Sequence, residues 1–349
     1  MKKVFVGMSG GVDSSLTAAL LREQGYDVTG VYMKNWTQDL PGMICPWADD
    51  LADAKRVAVQ LDIPFKVLDF EQEYKQKVVD YMIAEYSSGR TPNPDIMCNQ
   101  EVKFRLFLDT ALEQGADMIA TGHYARVVNG QLLAGLDTAK DQSYFLYRIT
   151  EAALHKTLFP LGELKKTEVR TMAEARGLAT AGKRDSQGIC FVGKVGIREF
   201  LSQYVTTEPG EIIDKVTNKV IGHHDGAIFY TFGQRHGLNV GGGLPYYVVG
   251  KDMSKNQVFV TTNLNDENLW RQQVVITNLH WINNAPDWSD QVNRSVRLRY
   301  RAPLIPIERM QDDEDSITIS LAHAERAITP GQSAVLYQGD RVLGGGIVI

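Results

Sequence analysis

The sequence predicts an α/β protein: a doubly wound parallel sheet followed by a small β-rich middle domain and a C-terminal β-barrel. Three observations carry this. Over the first 125 residues short apolar runs alternate with helical periodicity, the mark of βαβ units. A glycine-rich hexapeptide, Ser9-Gly10-Gly11-Val12-Asp13-Ser14, stands between the first apolar run and the first helix. Beyond Gly196 the pattern becomes mostly β, punctuated by Gly222-His223-His224-Asp225-Gly226 and Gly241-Gly242-Gly243. The expected domains are residues 1–198, 199–265 and 266–349, with 155–184 packing towards the middle domain.

Lys3 to Met8 reads as a buried strand, Ser14 to Gln24 as a helix stopped by Gly25, and Val28 to Met33 as a second strand. Trp47 to Leu61 is a helix closed by Pro64, Phe65 to Phe70 a strand, Gln72 to Tyr86 and Glu101 to Gln114 helices, and Asp117 to Thr121 a fourth strand. Right-handed crossovers then put ligands at the carboxyl ends of the strands. The segment Gly89 to Asn99, with Pro92 and Pro94, reads as a loop leaving the fold. Val127 to Leu133 is a hairpin on Asn129-Gly130, and Lys165 to Arg176 a helix. Val292 to Tyr300, Ser316 to Ala322 and Ser333 to Ile349 read as strands of a terminal barrel or sandwich.

The chain has 349 residues, 44% hydrophobic, with 37 Lys plus Arg against 42 Asp plus Glu, a net charge of -5. That excludes a disordered tail protein, and no apolar run reaches the roughly 18 residues of a membrane span. The apolar run ahead of Gly7 is too short for a secretory signal and no Arg-rich, acid-poor start follows, so a cytoplasmic protein is expected. Three cysteines, Cys45, Cys98 and Cys190, make no disulfide framework and no Cys-x-x-Cys zinc pair.

The hexapeptide suits an anion: two glycines free the backbone for positive φ, successive N–H groups form a nest, and a helix N-terminus adds partial positive charge. Asp13 supplies a carboxylate for Mg²⁺. Neither the lysine-bearing phosphate loop nor Gly-x-Gly-x-x-Gly is present, which disfavours P-loop kinases and dinucleotide dehydrogenases. The bland alternative is a glycine turn entering a helix. Cys98 follows Asn93-Pro94-Asp95, and Cys190 lies in Asp185-Ser186-Gln187-Gly188-Ile189-Cys190-Phe191 beside Lys183-Arg184. Cations or a helix N-terminus would give such cysteines thiolate character, while the bland alternative is a small buried hydrophobe.

The hexapeptide after a strand resembles the PP-loop of the ATP pyrophosphatase group, enzymes that split ATP into AMP and pyrophosphate while adenylating a carbonyl oxygen. Over essentially the whole chain the segments Gly7 to Ser14, Met33 to Trp36, Arg90 to Cys98, Ala120 to Tyr124, Lys140 to Leu146, Asp185 to Phe191, Thr231 to Gly237, Leu298 to Arg301 and Thr329 to Gln332 resemble the bacterial tRNA-specific 2-thiouridylase family. The resemblance implies an adenine nucleotide alpha hydrolase-like fold and ATP-dependent 2-thiolation of the wobble uridine. AMP is attached to the uracil 2-carbonyl and replaced by persulfide sulfur. It implies Cys190 as persulfide carrier, Cys98 as nucleophile on the persulfide or the base with a Cys98–Cys190 disulfide left behind, and Asp95 as acid/base or base contact.

For ATP it implies Gly7, Met8, Ser9, Gly10, Gly11, Val12, Asp13, Ser14, Met33 and Gly122, with Mg²⁺ at Asp13. For the target base and tRNA it implies Asn93, Pro94, Asp95, His123, Lys140, Asp141, Gln142, Arg299, Tyr300 and Gln332. The partners implied are tRNAs of the Lys, Glu and Gln anticodon types and a sulfur-relay protein or cysteine desulfurase. Read without the resemblance, Met33 is core packing, Cys45 an ordinary loop thiol, and His123 either a satisfied core histidine or, at a strand end facing the crevice, a tRNA contact.

Two basic stretches reconcile tRNA with the negative charge. Residues 155–184 hold seven Lys or Arg against three acids, and 294–309 five Arg against one, a net of +4 each. The acid clusters around Asp39, Asp49, Asp50 and Asp53 and at 312–315 are expected to face away. Two readings stand beside the thiolating enzyme: a PP-loop ligase or amidotransferase on a small molecule, for which both cysteines are dispensable, and a non-catalytic tRNA-binding sulfur carrier, which leaves Asp13 and the nest without a task.

Overall fold

The structure, a computed structural model, describes residues 1–39, 45–185, 196–241, 243–286 and 293–349. The first unit is a five-stranded, wholly parallel sheet: β1 (Lys3–Gly7), β2 (Asp27–Lys34), β3 (Phe65–Asp69), β4 (Met118–Ala120) and, after a hairpin of β5 (Ala125–Val128) and β6 (Gln131–Ala134), β7 (Thr157–Leu158). Its order is β3-β2-β1-β4-β7, so the chain reverses direction of growth between β1 and β4 and leaves a crevice at their carboxyl ends. β1 reads as an unbroken apolar run because both faces are covered, and Val4, Phe5 and Val6 are fully buried. Asn129 and Gly130, at φ 52° and 75°, make the expected hairpin turn.

One helix departs from expectation. Residues 94–113 form a continuous helix whose stretch Cys98–Leu106 is wound as a π-helix, so Pro94 to Asn99 is helical rather than loop. Asn93 is the N-cap, its side-chain oxygen accepting the Asp95 N–H at 3.2 Å, and Pro94 sits at the first turn, where a missing N–H costs nothing and φ is preset. Only Pro92 lies in loop.

The middle unit is a four-stranded sheet in the order β10-β11-β8-β9, made of β8 (Gly210–Asp214), β9 (Lys219–His224), β10 (Tyr247–Asp252) and β11 (Gln257–Thr261). Six antiparallel strands follow: β12 (Trp270–Trp281), β13 (Arg294–Arg297), β14 (Ile305–Asp313), β15 (Ser316–Arg326), β16 (Ser333–Gln338) and β17 (Arg341–Val348). They close into a barrel through β12–β17 pairing, leaving no free edge within the ring. β12 and β14 escape the period-2 reading because much of each is exposed and polar, Arg271 to Gln273 and Glu308 to Asp313 for example.

The hairpin β5–β6 adds to the barrel rather than to the first sheet: Leu133 pairs with Arg341, and the Ala134 N–H donates to Asp340 O at 2.7 Å. Among the described residues no helix is long and apolar enough to cross a membrane.

Candidate functional site

At the carboxyl end of β1 the chain turns at Gly10, at φ +73°, where a Cβ would lie 2.3 Å from Asp50 O, so any side chain is excluded. The helix Val12–Glu23 starts at Gly11. Hydroxyls brace the turn: Ser14 Oγ accepts the Ser9 N–H at 3.1 Å, and Ser14 and Ser15 donate to Gly11 O at 3.1 and 2.8 Å. Gly122, just past β4, closes the other side of the crevice; a Cβ there would stand 2.9 Å from the Asp13 carbonyl carbon and from Ser14 N. Met8 and Val12 are buried. Met33 reaches across the base of the crevice, its Cε 3.0 Å from where a Gly7 Cβ would be. The loop, Met33 and Gly122, distant in sequence, thus meet at the switch point.

Asp13 is held by Lys166 Nζ at 2.7 and 2.8 Å and by Tyr124 Oη at 2.8 Å. Lys166 opens the helix Lys166–Ala175 and also pairs with Asp185 at 2.9 Å, which takes Lys140 and Arg170 at 2.7 Å each. Burial pushes the Asp185 carboxyl up, but the hydrogen bonds and charges of Lys140 and Lys166 outweigh it and hold the group at about 2.

The helix 94–113 brings the second group of residues to the same edge of the sheet. Phe107 packs 3.6 Å from the Gly7 Cβ position, and Phe104 lies 5.7 Å from the His123 ring, centroid to centroid. One to three turns earlier come Asp95, Cys98 and Lys103. Cys98 is 6% exposed, and burial pushes its thiol up, opposed by the Lys103 charge and a hydrogen bond from Tyr74. Burial also raises Asp95, again opposed by Lys103. His123 is 9% exposed, its Nδ1 2.8 Å from Thr121 Oγ1; burial and then Lys103 hold its pKa well below the usual range, so the ring is neutral. Lys103, absent from the sequence-based set, is therefore the one cation acting on all three groups among the described residues. Its spacing of five from Cys98 is not a same-face spacing in a 3.6-residue helix, and the stretch between the two is π-wound.

Asn99 is 3% exposed and donates to Phe145 O at 3.1 Å. Phe145 in turn lies 4.4 Å from the Tyr300 ring of the barrel. Asp141 is 4% exposed, accepting Gly135 and Ser143 N–H groups and pairing with Arg297 of the barrel at 2.8 Å. Gln142 accepts the Tyr124 N–H at 3.0 Å, Arg299 pairs with Glu325 at 2.7 Å, and Gln332 donates to Thr91 O at 2.7 Å. Asn93 and Pro94 begin the Cys98 helix. Cys190 lies outside the described residues. Cys45 is buried, 3.6 Å from Trp36 O.

The acid clusters do not all face away. Asp50 and Asp53 take Lys183 at 2.7 and 2.6 Å, and Glu23 takes Arg176 at 2.7 Å. Much of the net charge of 155–184 is thus neutralised by acids from the first two helices.

Three domain models match in sequence: the tRNA methyl transferase HUP domain over residues 2–194, the tRNA methyl transferase PRC-barrel domain over 198–262 and the aminomethyltransferase β-barrel domain over 271–348. Relatives match end to end. The tRNA-specific 2-thiouridylase MnmA of Methylobacillus flagellatus is 48% identical over 99% of this chain and 98% of its own length. That of Bacillus cereus is 45% identical over 99% and 94%. This chain belongs to the tRNA-specific 2-thiouridylase family. Among solved structures, a 4-thiouridine synthetase–RNA complex with bound ATP is similar over 58% of this chain and 50% of that one, at 19% identity and a TM-score of 0.39.

Proposed function

We propose that this 2-thiouridylase adenylates the 2-carbonyl of the wobble uridine, position 34, in tRNAs of the Lys, Glu and Gln type and replaces that oxygen with sulfur, releasing AMP and pyrophosphate. The observation that carries the reading is identity of 45–48% across 99% of the chain with relatives named for tRNA 2-thiolation. The methyl-transfer descriptions of two domain models concern the same segments, but a methylase has no use for a phosphate nest at a sheet's switch point.

The backbone from Gly7 to Ser14 cradles the phosphates, and Met33 and Gly122 flank the nucleoside. Mg²⁺ would be a companion of the triphosphate: it favours one or two carboxylates plus phosphate oxygens, and Asp13 would be such a carboxylate once Lys166, which now holds both its oxygens, turned to the phosphates. When bound it offsets pyrophosphate charge; Lys166, already on Asp13, stands ready for the same phosphates.

A splayed wobble base enters beside Asn93-Pro94-Asp95. Burial makes Asp95 a better proton carrier, suited to acid/base work. The terminal sulfur of the Cys190 persulfide attacks C2, and AMP leaves with the former carbonyl oxygen. Cys98 thiolate then attacks Cys190 Sγ, the sulfur–sulfur bond breaks towards the base, and a Cys98–Cys190 disulfide remains for an external thiol to reduce. The persulfide comes from a sulfur-relay protein or cysteine desulfurase in the cytoplasm. Lys140, Gln142, Arg299, Tyr300 and Gln332 line the path of the tRNA, whereas His123 and Asp141 are buried and act on it only through their neighbours.

The test is incubation with ATP, Mg²⁺, unmodified tRNA and a radiolabelled sulfur donor. Labelled thionucleoside and tRNA-dependent pyrophosphate are expected, and Cys190→Ser should stop sulfur transfer while adenylation persists. Pyrophosphate release indifferent to tRNA would overturn the assignment.

A further inference from the structure

The turn of the barrel between β15 and β16 holds the first unit at Thr91, a residue that also touches the middle unit. The Thr91 N–H donates to Pro330 O at 2.8 Å, and Thr91 O accepts from Gln332 Nε2 at 2.7 Å, so both backbone groups of a catalytic-domain loop residue are satisfied by the barrel. Its hydroxyl lies 3.2 Å from Thr231 Oγ1 of the middle unit. Gly331, at φ +92°, comes so close that a Cβ would stand 2.7 Å from Thr91 N and 2.9 Å from Arg90 Cβ. The barrel side is itself anchored: Gly331 N–H donates to Val348 O and Val348 N–H to Gln332 O, both at 2.9 Å.

Two residues beyond Thr91 is Asn93, the cap of the helix that carries Asp95 and Cys98. The residues between and after are Pro92 and Pro94, whose fixed φ makes this a stiff lever rather than a slack tether. We propose that Gln332, with the Pro330-Gly331 turn, is a positioning element for Asp95 and Cys98, so that the C-terminal barrel sets the geometry of the reaction as well as binding tRNA. The proposal rests on the assignment of Asp95 and Cys98 to the reaction. Nε2 of Gln332 is spent on Thr91 O.

The test compares wild type with Gln332→Ala and with Gln332→Glu, which keeps the size and the acceptor but cannot donate to Thr91 O. Single-turnover thiolation should fall about tenfold or more in both, in line with the cost of a sub-ångström to 1 Å misplacement, and is read at saturating tRNA so that any loss of tRNA affinity is measured apart from it. Hydrogen exchange of the peptide containing Thr91 should speed up in both variants. Thr231→Val, which removes only the hydroxyl contact, should give a smaller change of the same sign. Weakened tRNA affinity with an unchanged single-turnover rate would mean that Gln332 serves tRNA alone, and unchanged exchange at Thr91 would mean that there is no strap; either overturns the proposal. If wild type made no thionucleoside, the functional assignment would fall, while the exchange measurement would still decide the strap.

Discussion

Arg297→Met should destabilise the protein by about 3 kcal/mol, because it strands a buried carboxylate. The side chains of Arg297 and Asp141 are 15% and 3% exposed, 2.8 Å apart, and join the barrel to the segment that leads into Ser143–Leu146. Removing one partner of a buried ion pair costs about 3–5 kcal/mol, since the survivor keeps its desolvation penalty. Asp141 retains two backbone N–H donors, from Gly135 at 3.1 Å and Ser143 at 3.0 Å, which places the loss at the low end. The arginine's guanidinium also lies 5.2 Å from the Tyr337 ring, a contact that methionine replaces only as an apolar filler.

A loss of about 3 kcal/mol is on the order of a hundredfold in the unfolding equilibrium. The assay is urea unfolding of wild type, Arg297→Met, Asp141→Asn and the double variant, with unchanged m-values as the check that the unfolding transition is the same. Asp141→Asn alone should cost less than Arg297→Met, because the freed guanidinium is more exposed and still faces Tyr337, and the double variant should recover part of the larger loss. A cost below about 1 kcal/mol for Arg297→Met, or single-variant losses that simply add to within about 0.5 kcal/mol, would refute the argument.

Lys103→Met should push the Cys98 thiol further up, since it removes the charge that opposes burial; in a variant with Cys98 as the only cysteine, alkylation near pH 8 should slow several-fold, whereas Lys103→Arg should hold the rate. Gly122→Ala should weaken ATP binding about tenfold in calorimetry, because the new Cβ meets backbone at Asp13 and Ser14 that cannot yield cheaply. Acid should weaken the fold below about pH 6.5: His123 has a folded pKa far under its unfolded one, so the unfolded chain takes up the proton first, at up to about 1.4 kcal/mol per pH unit, and His224 and His280 are shifted the same way. Denaturation midpoints at pH 7.5, 6.5 and 5.5 should fall in that order, and less steeply in His123→Gln. tRNA affinity should fall with salt, and a flat dependence would contradict phosphate contacts by exposed arginines such as Arg299 and Arg301.

The parallel sheet was legible from the sequence because buried strands such as Lys3–Gly7 are unbroken apolar runs, and glycines at helix ends, such as Gly25, punctuate them. The turn at Gly10 was legible because only glycine tolerates φ +73° against the Asp50 carbonyl. The start of the Cys98 helix was misread for a local reason: Pro92 and Pro94 look alike as breakers, but Asn93 makes the second an N1 proline. The charge segregation was misread for a global one, since Lys183 finds Asp50 and Asp53 only after the sheet brings helices from distant parts of the chain together.

By itself, then, the sequence determined the class of fold, the glycine turn after β1 and the chemical types available at the site, all of which are local: backbone φ, period of apolarity and side-chain identity. Tertiary structure alone decided which groups act on one another. Lys103 acts on Cys98 across a π-wound stretch, the pairing of Asp141 with Arg297 spans 156 positions, and the seating of Thr91 against Gln332 spans 241. Desolvation and charge coupling depend on distance in space, and no pattern along a chain encodes that until the barrel has closed and docked on the sheet domain.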